Sequence, residues 1–349
     1  MINIEQEKSI NQQIKKKSLA QKYFLWLQPC EIWCLLRKKT QFNSTIYDCI
    51  QSGLENPDAI CGLYATDGDC YELFRCLFWP VIMDYHKIDI RNLIFKHDFG
   101  DYHDIQDLSS EINQQILSIR IRINRSIQHY PMIAKLTVDQ LLEIEERIRT
   151  TLEHLDEDLQ DDYHSLKDLN EMDQIKLRER SILFQEPIDR YLESAGAYNH
   201  WPNGRGFSIN KDENFIIWVN EEDHLSFISQ SNDSKMNETY ERMIRAINQI
   251  HQAFEFQQHQ RLGYLNFSPL NIGTALQVNV HVKLNHTEKL NELIEFSKKY
   301  DIHLENTNEK NIFNLSNIIR LGRTEFHIIR SMWNGIQQII EQDINQNIN

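Results

Sequence analysis

The spacing of apolar positions changes several times along the chain, and each change marks an element. From Leu19 to about Tyr85 the apolar residues cluster at helical spacing in QKYFLWLQPCEIWCLLRKK and CYELFRCLFWPVIMDYH. Between them, SGLENPDAICGLYATDGD carries the Gly, Pro and Asp of connecting turns. This pattern predicts a small all-helical region. The stretch His86 to Asn113, with its polar KHDFGDYHD, reads as a linker. A new period begins at Ser118: in SIRIRINR the isoleucines Ile119, Ile121 and Ile123 alternate with Arg120 and Arg122. Such a strand buries one face and points two guanidinium groups from the other.

Thr137 opens an amphipathic helix with a capping box completed by Gln140, and Leu141, Ile144, Ile148, Leu152, Leu155 and Leu159 follow at three- and four-residue steps. Phe215 to Val219 is a short buried strand, Tyr240 to Phe254 a helix, and GYLNF a strand ending at Ser268. In ALQVNVHVKL, Leu276, Val278, Val280 and Val282 face one way and Gln277, Asn279, His281 and Lys283 the other. Helices near Thr287 to Tyr300 and Thr324 to Asp343 bracket an irregular segment, ENTNEKNIFNLSN. The order of elements predicts an α+β protein: a small all-helical N-terminal domain followed by a larger domain with an antiparallel β-sheet flanked by helices. The expected boundaries are a polar arm at 1–20, a helical domain at 21–96 and a sheet domain at 97–349.

A net charge of −14 argues against nucleic acid as a partner. A polyphosphate ligand would need a local cluster of arginines, and Arg120 with Arg122 is the candidate for gripping an anion. All six cysteines, Cys30, Cys34, Cys49, Cys61, Cys70 and Cys76, lie in the first quarter of the chain without metal-ligand spacing. They read as free thiols in a reducing compartment. No apolar run approaches the roughly 20 residues of a membrane span. The start, MINIEQEKSINQQIKKK, resembles neither a secretory signal nor a transit peptide. The expected location is the cytoplasm.

Candidate chemistry concentrates in FIIWVNEEDHLS, Phe215 to Ser226, where the buried strand runs into three acids and a histidine. Carboxylates lose solvation wherever a fold closes over them. The segment is either a solvated acidic loop or a chemical site, and the groups around it decide.

Those groups resemble a known family, the phosphagen kinases or ATP:guanidino phosphotransferases, which include arginine and creatine kinases. The similarity runs collinearly from about residue 20 to the C-terminus. It rests on SGLENPDAICGLYA, DFGD, SIRIRINRSIQHYP, WPNGRG, WVNEEDHL, HQRLGYLNFSPLNIGT, VHVKL and LGRTEF. The resemblance implies transfer of the γ-phosphoryl of MgATP to a guanidinium nitrogen, with five arginines neutralising phosphate charge. Two of these correspond to Arg120 and Arg122. Ser226 and Gln277 stand where two others are expected, and Asn308 is the nearest counterpart of the fifth, in a shortened closing loop. The resemblance also makes Glu222 the retained catalytic carboxylate and places Ser268 where the family has a reactive cysteine.

In the substrate loop Gly62 and Tyr64 are kept, while Ala59 and Ile60 replace the Ser and Gly of arginine kinases. On the nucleotide side His281 matches, and Ser181 stands where another histidine is expected. Framework residues Trp201, Pro202, Gly204, Arg205, Gly263 and Gly273 are retained.

Changes confined to substrate-contacting positions lead to the expectation of a catalytically silent member of this fold. Such a protein would need no cofactor. It would serve as a structural or docking subunit of a larger assembly, with a ciliary axoneme or mitochondrial complex as host, other protein subunits as partners and self-association as an option. The alternative is an active ATP:guanidino phosphotransferase using MgATP, with Glu222 as its carboxylate and Arg120 and Arg122 on the phosphates. A third reading is nucleotide binding without transfer.

Overall fold

The computed structural model describes residues 17–160, 162–185, 187–285 and 290–345. The expected N-terminal arm lies outside them except for its last residues, as does the expected start of a helix at Thr287. An antiparallel sheet of eight strands organises the larger part of the chain, in the order β2 (Tyr163–Ser165), β3 (Gly206–Ile209), β4 (Phe215–Val219), β5 (Leu225–Ser231), β1 (Ile116–Arg125), β8 (Leu276–Lys283), β10 (Ile312–Asn317) and β9 (Ile302–Asn306). A separate pair, β6 (Gln258–His259) and β7 (Gly263–Tyr264), stands apart from it.

β1 is central because its alternation is the strictest. Ile119, Ile121 and Ile123 are fully buried, under the helices Met236–Ala253 and Glu325–Asn345, which pack on strands of the same sheet. The register then decides what shares the other face. Arg120 lies opposite Gln230 and Asn279, Arg122 opposite Ile228 and Gln277, and Asn124 opposite Ser226, which in turn faces Trp218. Cross-strand partners project to one side of a sheet. The sheet therefore has one apolar face, and a second face whose middle strands carry arginines, amides and hydroxyls.

β4 shows the same parity in another way. Phe215, Ile217 and Val219 join the main core, whereas Ile216 and Trp218 join a smaller one with Leu166, Ile182, Leu183, Phe184 and Phe207. All five residues of the strand are buried because each face has its own core.

The structure departs from the sequence pattern in three places. The helix opened by Thr137 ends at Leu152, although Leu155 and Leu159 are buried as expected. The hydroxyls of Thr150 and Thr151 donate to the carbonyls of Glu146 and Arg147, and Gln160 Nε2 caps the carbonyls of Glu153 and Leu155. Side chains thus take over from the helical ladder, and the apolar spacing continues through a turn.

The segment ENTNEKNIFNLSN is a hairpin. Ile302, Leu304, Phe313 and Leu315 are buried on one side, while the Asn and Ser positions between them supply the outward face and disguise the period. GYLNF is a strand only at Gly263–Tyr264. Beyond it, the Asn266 carbonyl accepts from Tyr71 Oη at 2.6 Å and Phe267 N donates to Asp223 Oδ1 at 2.8 Å, which draws the backbone out of any ladder.

The helical region (Leu19–Phe24, Pro29–Arg37, Ile46–Glu55 and Arg75–His86, with a short turn at Cys70–Leu73) packs onto the sheet region through its own connecting loop. Gly62 has φ +65°, and a Cβ there would lie 2.6 Å from the Cα of Gly53. Only glycine allows the loop to lie this close to the helix Ile46–Glu55. Leu19 N and Ala20 N donate to the carbonyls of Ile60 and Cys61, and Ala65 N donates to the carbonyl of Phe267. The loop is therefore tied on one side to its own domain and on the other to the sheet domain.

At the end of β1 the fully buried Arg125 donates through Nη1 to the carbonyls of Asn124 and Thr274, lies over the Tyr264 ring at 3.5 Å and pairs with the equally buried Glu325 at 3.9 Å. Glu325 in turn accepts from His97 Nδ1 at 2.9 Å and from Asp98 N at 3.1 Å. Removing one partner of such a pair leaves an uncompensated charge in the interior. Glu325→Gln is expected to lower stability by ~3 kcal/mol or more in equilibrium urea unfolding. A change below ~1 kcal/mol would show that the pair is not isolated from water.

Candidate active site

The turn after β4 begins with Asn220 in the left-handed conformation, φ +54°, which Asn tolerates better than most residues. Its Nδ2 bridges the carbonyls of Leu141 and Gly204, and its N–H closes the turn on the His224 carbonyl at 2.9 Å. Two of the next four residues are scaffolding. Asp223 accepts from Phe267 N at 2.8 Å and from Asn124 Nδ2 at 2.7 Å. His224 accepts at Nδ1 from Ile127 N, and its Nε2 lies 2.9 Å from the Pro131 carbonyl. A backbone donor at Nδ1 requires that nitrogen to be unprotonated, so the neutral ring is locked in place. Burial lowers its pKa to about 4, against the pull of the Pro131 carbonyl.

The other two acids face the polar side. Glu221 Oε2 accepts from Arg122 Nη2 at 2.8 Å. Glu222 accepts no hydrogen bond and forms no ion pair among the described residues. Desolvation, then the neighbouring Asp223 and Glu221, raise its proton affinity, with Arg122 and Arg320 pulling it back. A carboxylate in this state lacks a cation.

The cations lie along β1, roughly 7 Å apart as residues i and i+2 of a strand. Arg120 opens onto a polar cleft of about 880 Å³ whose lining includes Ser118, Ser181, Arg242, Asn279 and His281. It donates to Gln230 Oε1 at 2.8 Å and to the Ser181 carbonyl at 3.0 Å. Its pKa is lowered to about 10 by burial first and Arg122 second. Arg122 donates through Nη2 to Ser226 Oγ at 3.0 Å as well as to Glu221, and through Nε to Asn124 Oδ1 at 2.8 Å, leaving Nη1 uncommitted. Both guanidiniums approach the Trp218 ring, at 5.7 and 4.9 Å. Two residues along the strand from Arg120, beyond the lining of the cleft, Arg122 exerts its charge on Glu222.

The remaining candidates divide clearly. Ser226 and Gln277 flank Arg122: Ser226 through its hydrogen bond, and Gln277 as the direct ladder neighbour. His281 lies in the cleft wall with Nδ1 3.2 Å from Ser118 Oγ. Ser268 is buried, and its Oγ accepts from Leu270 N at 3.3 Å, shaping the loop beneath the acids. Tyr64 stacks on Phe267 at 4.9 Å, and its hydroxyl feels the charge of Glu222. It brings the Gly62 loop toward Glu222. Asn308 is exposed in the turn of the β9–β10 hairpin, and no hydrogen bond or ion pair joins it to the arginines among the described residues.

Two groups were not singled out from the sequence. Arg242, on the helix Met236–Ala253, donates to Ser229 Oγ at 2.9 Å and lines the cleft. Arg320 is half-buried, and its charge acts on both Glu222 and Arg122. Its signal was present as an isolated charge among apolar neighbours in IIRLG.

The fold and the face of the sheet thus define a two-part scaffold that brackets an anion on one side and a cation on the other. Comparison with known proteins narrows this. The family model for the ATP:guanido phosphotransferase C-terminal catalytic domain matches residues 143–346, and that for the N-terminal domain matches residues 15–83. Arginine kinases of Artemia franciscana and Carcinus maenas are 36% and 37% identical to this chain, over 93% of its length and 92% of theirs. A crystal structure of a lombricine kinase superposes with a TM-score of 0.89 at 27% identity, covering 96% of this chain and 94% of that one. The substrate-free duplicated taurocyamine kinase from Schistosoma mansoni superposes with a TM-score of 0.87 at 31% identity over 96% of this chain, which spans 49% of that duplicated protein. The chain belongs to the ATP:guanido phosphotransferase family.

This corrects the expectation of a catalytically silent subunit without a cofactor. The relatives that match along nearly the whole chain are kinases, and none of the findings points to an axonemal or docking role. The physical reason lies in the counting of arginines only at positions matched by motif. In the folded chain Ser226 hydrogen-bonds Arg122, the charge of Arg320 acts on Glu222 and Arg122, and Arg242 lines the cleft from the helix Met236–Ala253.

His224 carries a pH signature. Its folded pKa of about 4 lies below the ordinary 6.5, so the unfolded chain takes up the proton first as pH falls. Stability held above pH 6.5 is lost progressively toward pH 4. Urea midpoints of wild type and His224→Gln, compared from pH ~7.5 to ~4.5, are expected to converge below the ordinary histidine pKa. A constant difference over that range would mean that the ring protonates freely within the fold.

Proposed function

We propose that the protein is an active ATP:guanidino phosphotransferase that moves the γ-phosphoryl of MgATP to a guanidinium nitrogen of a small acceptor of the arginine class. The observation that carries this reading is Glu222, a desolvated carboxylate that accepts no hydrogen bond among the described residues and lies within the influence of Arg122 and Arg320. A guanidinium is the cation whose planar donors suit a carboxylate. An acceptor held there meets the phosphates lying along Arg120 and Arg122.

The chain's own residues divide the work. Arg120, Arg122 and the cleft wall hold the nucleotide phosphates, with Mg²⁺ entering as part of the substrate. Glu222 Oε fixes the acceptor nitrogen in line. Its raised proton affinity, which comes mainly from burial, suits it to take the proton that nitrogen must lose. Little covalent chemistry is asked of the protein in phosphoryl transfer, and alignment with charge neutralisation supplies the rate. The kinases similar to this chain are named for arginine, taurocyamine and lombricine. We assign arginine as the first acceptor to test because the arginine kinases of Artemia franciscana and Carcinus maenas match this chain over 93% of its length at 36% and 37% identity.

A coupled assay with MgATP and each of these acceptors tests the reading. Turnover is expected with at least one of them, and Glu222→Gln is expected to reduce kcat by ~10²-fold or more while MgADP affinity stays within ~3-fold. Absence of turnover with all three acceptors in a protein that binds MgADP would overturn it.

A further inference from the structure

The helix Pro29–Arg37 turns much of its apolar surface away from the core. At about 3.6 residues per turn Ile32 and Leu35 share one side, and these are its half-buried and buried positions. Pro29, Cys30, Trp33, Leu36 and Arg37 share the other, and all five are exposed, Trp33 to 56%. The outer side of a surface helix ordinarily carries charged and polar residues, whereas here proline, cysteine, tryptophan and leucine occupy it. Just before the helix, Leu25 and Trp26 are exposed as well. Leu25 also lines a small apolar groove of about 270 Å³ with Phe24, Ile50 and Leu54.

Positive charge gathers in the same stretch. Residues 17–39 contain Lys17, Lys22, Arg37, Lys38 and Lys39 against one acid, Glu31, in a chain of net charge −14. Glu31 is taken up by the helix cap, its Oε2 accepting from Gln28 N at 2.8 Å. Lys22 pairs with Asp84 at 2.8 Å. Arg37 lies over the Trp33 ring at 3.5 Å, and Lys38 Nζ donates to the Leu73 carbonyl at 3.1 Å. Among the described residues none of Arg37, Lys38 and Lys39 pairs with a carboxylate, so the acidic surplus of the molecule leaves these exposed cations uncompensated.

The combination selects an occupant. A second copy seated face to face would set like charge against like. A standard protein interface takes about 800 Å² from each partner, more than a convex helix of ~14 Å presents. A bilayer surface needs no matching concavity. Its headgroup region accommodates indole rings, anionic headgroups attract Lys and Arg, and a helix lying in the interface immerses its apolar face by ~5–10 Å.

We propose that the outer face of the helix Pro29–Arg37 is a docking surface for an anionic phospholipid bilayer, with Trp33 and Leu36 entering the interface and Arg37, Lys38 and Lys39 lying against the headgroup phosphates. None of these side chains belongs to the candidate active site, and the proposal is independent of the phosphotransferase reading.

Co-sedimentation of the full chain with vesicles provides the test. Phosphatidylcholine vesicles containing about one-third phosphatidylserine are expected to bind the protein ~10-fold or more tighter than phosphatidylcholine alone at ~0.05 M salt, and the difference is expected to vanish at ~0.5 M. Trp33→Gln, and separately the triple variant Arg37→Gln/Lys38→Gln/Lys39→Gln, are each expected to weaken binding by ~10-fold with the thermal midpoint of wild type. Cys30 and Cys34, the exposed cysteines, map the contact in the unmodified protein. Anionic vesicles are expected to slow their alkylation by a charged maleimide ~5-fold or more. Wild type that stays in the supernatant with anionic vesicles overturns the proposal. So does salt-sensitive binding that Trp33→Gln leaves unchanged, which is adsorption by charge alone, and so does binding that leaves both thiols as reactive as before. A dimer without vesicles that Trp33→Gln dissociates would give the face to a second copy and overturn it equally.

Discussion

A guanidinium that cannot reach water needs its charge met within the fold, and Arg125, hydrogen-bonded through Nη1, stacked on Tyr264 and paired with Glu325, sets where three separate segments meet. The end of β1, the residues before Gly100 and the start of the helix Glu325–Asn345 converge on its pair with Glu325. The remaining contacts come from Tyr264 and the Thr274 carbonyl. None of these segments is held there by the apolar core alone. Arg125 ends the same strand that presents Arg120 and Arg122, so the buried charge anchors one end of the strand that carries both candidate arginines. Interior electrostatics and site geometry are therefore one problem in this fold, solved along ten residues of β1.

The polar face is built by charge opposition at short range. Trp218 gives Arg120 and Arg122 an aromatic surface to lie along, Glu221 and Ser226 restrain one of them, and Asp223 is spent on backbone and amide donors. What is left over is one carboxylate and a few donor nitrogens. A surface with every polar group satisfied internally binds water and little else, whereas here Glu222 and Arg122, groups of opposite sign, lie within each other's influence.

Much of this was legible in the chain. The alternation of Ile119, Ile121 and Ile123 with arginines gave both the central strand and its working face, and Phe215 to Val219 marked β4 to the residue. Two kinds of feature were not legible, for physical reasons. The β9–β10 hairpin was hidden because its outward positions are Asn, Ser and Glu, residue types that turns also favour. Arg320 showed in the chain only as an isolated charge in IIRLG, and that its charge acts on Glu222 and Arg122 depends on packing that no local spacing encodes. The same blindness produced the misjudged silence of the site: substitutions at Ser226 and Gln277 read as losses in a linear comparison, but their neighbours in space are charged groups from elsewhere in the sequence.

The β9–β10 turn has a kinetic meaning. Its ends are stitched by Thr307 N to the Ile312 carbonyl and by Ile312 N to the Glu309 carbonyl, and the few residues between can extend only ~3.5 Å each. So short a turn has little reach beyond the two strands it joins. Where a loop must open before product leaves, that motion often limits turnover and makes it sensitive to solvent viscosity. For the transfer proposed above, so short a turn offers little cover of its own, and the arginines and acids would hold their alignment without being sealed in by it.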